Sequence, residues 1–127
     1  MSWETRTLRE AYDLLAPDGS EIRLLGGVDG ASLVHCRLPP GQVTQAVRHR
    51  TVEEVWYCIG GVGEVWRQAG AHSEIVELKA SVSVTIPLGV EFQFRSTGAV
   101  ALELVIATAP PWPGADEAIA VDGIWAR

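Results

Sequence analysis

Cysteine is scarce in this chain: there are two, Cys36 and Cys58, each inside an apolar run. That usage fits two buried free thiols in a reducing cytoplasm better than a disulfide framework. No apolar run approaches the roughly 20 residues of a membrane helix, so no membrane partner is expected. The opening MSWETRTLRE is charged and has no apolar core, unlike a secretory leader. Basic residues are few and scattered, and the net charge is −6. A basic footprint for nucleic acid is therefore absent. Also lacking are a sustained helical period, an internal repeat and a low-complexity segment.

What remains is a 127-residue chain, long enough for one domain with its own core. Short runs with period-two alternation recur about every ten residues, punctuated by Gly and Pro. Strands are expected at 21–25, 31–38, 44–48, 53–59, 64–68, 72–78, 81–86, 91–96 and 101–107. Residues 5–15 fit either a strand or a short helix. The pattern predicts an all-β sandwich or barrel. Three segments follow: an N-terminal extension (1–19), the barrel (20–108) and a tail (109–127). The tail's Pro110-Pro111-Trp112-Pro113-Gly114 fits no regular element. Trp112 and Trp125 are expected to pack on the barrel exterior or on a partner.

The stretch Gly41–Gly63, GQVTQAVRHRTVEEVWYCIGGVG, holds the most chemistry. His49 and Glu54 flank a turn and can project from adjacent antiparallel strands onto one surface. An imidazole and a carboxylate converging in a cleft form a candidate acid–base or metal site.

The stretch resembles the first signature of the cupin family. Gly41, five residues, Val47, Arg48, His49, four residues, Glu54, six residues and Gly61 reproduce every spacing, with Val47 in place of the first His. Residues Ser81–Ser96 are similar to the second signature. Pro87-Leu88-Gly89 matches, whereas Ser81 replaces a Gly, Phe92 the third His and Ser96 the Asn. The resemblance implies a cupin-type jelly-roll barrel, a double-stranded β-helix. It also implies a homodimer, since small cupins commonly pair through sheet edges, with Trp3, Trp112 and Trp125 placed to cap an edge.

In that register, side-chain alternation puts Val47 and His49 inside the barrel, with Gln45 two positions earlier. Glu54, Trp56 and Cys58 join them, as do Phe92, Phe94 and Ser96. The expected pocket holds one imidazole, one carboxylate and one amide among apolar and aromatic walls, which suits a small organic ligand. His49 and Glu54 are the candidate catalytic pair, Glu54 serving as hydrogen-bond partner that raises the His49 pKa against the opposing effect of apolar walls, or a buried pair in a pure binding pocket. Val47 and Phe92 lack donor atoms, so no tightly bound metal is expected. A divalent ion, if held, would use His49 and Glu54, with Gln45, Ser96 or His35 in reserve. Two alternatives remain: a metal-dependent dioxygenase or isomerase with a reduced ligand set, and a metal-independent isomerase or epimerase with His49 as base. His35 is otherwise expected to hydrogen-bond within its sheet, His72 to be solvated, and Arg48, Arg50, Arg67 and Arg95 to face outward.

Overall fold

A computed structural model describes residues 3–127; the first two residues of the expected extension lie outside it. Eleven strands form: β1 (Leu14–Leu15), β2 (Glu21–Gly27), β3 (Ser32–Leu38), β4 (Val47–His49), β5 (Glu53–Gly60), β6 (Val62–Ala69), β7 (His72–Lys79), β8 (Ser83–Ile86), β9 (Glu91–Ser96), β10 (Leu102–Ala109) and β11 (Ala118–Ala120). They pair antiparallel into a six-stranded sheet, β1-β2-β3-β10-β5-β8, and a five-stranded sheet, β11-β4-β9-β6-β7. Two facing antiparallel sheets make the expected jelly roll.

Alternation along each strand builds the core. In β10 Leu102, Leu104, Ile106 and Thr108 are buried between residues that reach the outer face. Trp56, Phe94, Val65, Leu78 and Ile86 meet them from the other strands. Each fully buried apolar side chain contributes about 1.5–3 kcal/mol. Cys36 and Cys58 both pair with Leu104, from opposite sides. Two strand spacings put their backbones about 9–10 Å apart, too far for a disulfide, and both thiols are free and buried.

Three expectations need correction. Residues 5–15 form neither a helix nor a full strand: only Leu14–Leu15 pairs, and 3–13 run exposed along β2. Arg23 holds this arm through the carbonyls of Arg9 and Glu10. The strand expected at 44–48 begins only at Val47, because Thr44 turns inward and bonds the Phe94 backbone through N and Oγ1. The tail is more ordered than expected: beyond Gly114 a 3₁₀ turn (Ala115–Glu117) leads into β11, which pairs with β4.

The tail is pinned further on. Gln93, on the outward side of β9, is nonetheless buried. It donates to the Thr44 and Trp125 carbonyls and accepts from the Ile124 and Trp125 amides. Arg95 stacks over the Trp125 ring at 4.3 Å, so Trp125 does pack on the barrel exterior. The arginines are largely spent on local partners: Arg95 on Glu64, Arg67 on Glu74 and Arg50 on the Asp116 carbonyl. His35 lies on the outer face and bonds Glu103 at 3.0 Å, and His72 is exposed. No helix among the described residues is long and apolar enough to cross a membrane.

Candidate functional site

The turn between β4 and β5 sets His49 and Glu54, and the tail builds that turn. Glu117 is 3 % exposed, and its carboxylate accepts from the Thr51 amide (2.6 Å), the Thr51 hydroxyl and the Val52 amide (3.1 Å). The Arg50 amide donates to the Glu117 carbonyl. Burial alone would raise the pKa of Glu117, but these donors overcome it and hold the carboxyl below its usual range. A sequence reading centred on residues 41–63 had no reason to find this residue. Its signal, the second of two adjacent acids just past a Gly, is indistinguishable from a surface charge.

Between the sheets lies a cavity of about 410 Å³. Val47, His49, Glu54, Trp56, Phe92 and Phe94 line it, and Gln45, Cys58 and Ser96 do not. The expectation for Gln45 fails because the late start of β4 breaks the parity, and its amide instead bonds the Ala46 and Val121 carbonyls. Cys58 lies one strand repeat deeper than Trp56, in the closed core, and donates to the Gly60 carbonyl. Ser96 is likewise one repeat beyond Phe94, its hydroxyl buried without a partner. The cavity gains residues from segments distant in sequence, among them Asp18, Cys36, Ile106, Thr108 and Trp112. Trp112 is therefore not an exterior cap; its ring meets His49 edge-on at 5.4 Å.

His49 sits between two aromatic rings, with Phe92 at 5.2 Å on another side. Burial lowers its pKa from 6.5, against the pull of the Glu117 carboxylate. Its Nδ1 is buried with no partner. The expected support from Glu54 is not made. Glu54 instead accepts from Trp56 Nε1 at 2.9 Å and from Thr108 Oγ1 at 3.1 Å. Burial drives Glu54 up to about 7, against those two donors and with added repulsion from Asp18 and Glu117. Of the two opposing effects expected on His49, burial is the one that prevails, and Glu54 does not support the ring. Asp18 is also pushed up by burial, against two bonds from Ser20 and the charge of Arg127. Burial holds Cys36 as an un-ionised thiol, which removes it as a nucleophile.

A family model for the cupin domain matches residues 34–108. The chain belongs to the cupin family. Among solved structures, a variant of Streptomyces PAC13 with uridine is similar at 20% identity, covering 98% of this chain and 95% of that one, with a TM-score of 0.75. KdgF from Halomonas sp. is similar at 12% identity, 87% and 97% coverage and a TM-score of 0.71. BH2720 from Bacillus halodurans gives 22% identity, 73% and 72% coverage and a TM-score of 0.66. At these identities the likeness is one of fold. No curated protein sequence matches the chain.

Cupins often hold a metal, and this cupin's donor set does not fit one. Val47 and Phe92, at two ligand positions of the family pattern, are direct cross-strand partners and fill the space with carbon. Both Glu54 oxygens already accept bonds from neighbours. Among the described residues no three of His, Cys, Asp and Glu converge, whereas a divalent transition metal takes three or four such ligands.

Proposed function

We propose that this cupin binds a small organic molecule with an aromatic or apolar body inside the barrel, without a resident metal. One observation carries the reading: an aromatic-walled cavity of about 410 Å³ lined by the imidazole of His49, which has no protein partner at Nδ1, and by the half-buried Glu54 carboxyl. The volume lies within the range of ligand pockets, about 300–1,000 Å³, and few polar groups amid apolar walls suit orientation of a ligand. That PAC13 was solved with uridine supports a guest of roughly nucleoside size. The proposal extends to a cytoplasmic homodimer, supported by two reduced, buried thiols and by Val55, Tyr57 and Ile59 exposed along one outer face. Light scattering at a single-chain mass would reject the dimer.

The test is a library of nucleoside-sized compounds followed by Trp fluorescence and thermal shift. Hits should perturb the indoles and weaken at least tenfold in Trp112→Ala and His49→Leu. Hits that bind both variants unchanged would place the site elsewhere.

A second reading, proton transfer on the bound molecule, is favoured by Glu54 standing near 7, where a carboxyl can both give and take a proton at neutral pH. Glu54 fills that role better than His49, whose protonation is disfavoured. Turnover abolished in Glu54→Gln and merely slowed in His49→Leu would support it; the reverse would restore His49 as base.

A further inference from the structure

The cavity is charged in one direction. Its wall carries the carboxyls of Glu4, Asp18 and Glu54 and one basic side chain, Arg6. Arg6 already donates through Nε and Nη2 to Glu4, at 3.1 Å each, so that pair is neutral. Asp18 takes two bonds from Ser20, and Arg127 reaches over the neighbouring Gly19 turn without forming an ion pair with it. Glu54 has neutral donors only. None of the ion pairs among the described residues includes it.

The cavity that Glu54 lines is walled by rings. Trp56 meets Phe92 at 5.5 Å and Phe94 at 5.0 Å, while Phe92 and Trp112 both meet His49. Aromatic faces attract cations, and the attraction grows where water is excluded. The Glu54 carboxyl, without a counter-ion in the same enclosure, adds the same preference when it is ionised. His49, 5 % exposed, lines the same cavity and has no protein partner at Nδ1. Nothing in the wall compensates a phosphate or carboxylate on a guest.

We propose that the cavity is an organic-cation site: it takes a small aromatic amine whose ammonium lies against Glu54 among the rings, with Asp18 as the second carboxyl. This rests on the barrel-binding reading above and goes beyond it in naming the charge and class of the guest.

The test uses three probes that share one aromatic body: phenethylamine, 2-phenylethanol and 3-phenylpropionate. Titrations run at pH 8 with EDTA and 150 mM salt, so that metal and diffuse attraction to a net-negative protein are both suppressed. The amine should bind at least tenfold more tightly than the alcohol, and the acid more weakly than either. Glu54→Gln keeps an acceptor for Trp56 and should bring the amine down to the level of the alcohol. Should that variant not fold, Asp18→Asn should narrow the same gap. Equal binding of amine and alcohol to the unmodified protein overturns the cation site while leaving barrel binding intact. An amine preference that survives both substitutions overturns it too, assigning the preference to surface charge. Binding by none of the three overturns the cation site, and silence from the compound library as well removes the barrel-binding reading beneath it.

Discussion

Glu54 has a folded-state pKa of about 7 against 4.5 in the free side chain, because burial penalises its charge. With the folded value raised, its contribution is stabilising below the unfolded pKa and is lost as pH rises from 4.5 through about 7. The bound is about 3 kcal/mol, and solvent in the cavity reduces it. Glu54→Gln should therefore gain stability relative to the unmodified protein at pH 8, and the gain should shrink at pH 5. Urea melts at both values read it, and a pH-independent difference would contradict the assignment. Comparing the two proteins cancels His49, whose lowered pKa works in the opposite direction, losing stability as pH falls. Ser81 gives a second residue-scale prediction. It stands at φ 81° where the family pattern has Gly, a conformation that costs an L side chain on the order of 1 kcal/mol. Ser81→Gly should raise the melting temperature by a few degrees, after the greater unfolded-state entropy of Gly is subtracted. A lower melting temperature would show that the serine is not strained.

At the scale of elements, the β4–β5 turn depends on a segment more than sixty residues away. Glu117 closes the turn, and β11 covers the open side of β4 opposite His49 with the small Ala118. Glu117→Ala leaves the Thr51 and Val52 amides without their acceptor and should cost about 2–4 kcal/mol, since these are bonds to a charged group. The same change should shift the His49 ring resonances, because the turn orients that side chain. Asp116→Ala, one residue away and exposed, is the control and should do neither. Denaturation midpoints and His NMR read both, and equal behaviour of the two variants would show that Glu117 is a surface charge. Gly61 constrains the other end of β5. It has φ 72°, and a Cβ there would collide with the Ala101 carbonyl. This family glycine is fixed by the close approach of the β5–β6 turn to the chain before β10.

For the whole molecule, the proposed absence of a resident metal is the most direct test. A bound ion stabilises by mass action, about 3–4 kcal/mol at a hundred to a thousand times its Kd. EDTA should therefore leave the melting temperature unchanged, and the purified protein should carry well under one metal per chain. Val47→His combined with Phe92→His should introduce metal binding, because the two positions face each other across β4 and β9. One iron, manganese or zinc per unmodified chain, with stability lost on chelation, would make His49 and Glu54 ligands after all.

The all-β class was legible in the sequence, because period-two alternation and Gly/Pro punctuation act locally and most of these strands are half-buried, and the resemblance to the cupin signatures narrowed it to a jelly roll. The paired signatures likewise located β4, β5 and β9 and six of the cavity's residues, since faces follow from parity once a strand's register is known. Gln45 escaped where the strand broke, and Cys58 and Ser96 where strand length, invisible to parity, carried them past the cavity into the core. The chemistry of the site was decided in three dimensions. Glu54 turned to Trp56 and Thr108 rather than to His49, and Asp18, Thr108 and Trp112 arrived from the β1–β2 turn, the end of β10 and the tail. A pKa, a counter-ion or a missing one depends on distances between segments far apart in the chain, and only the folded barrel sets those distances.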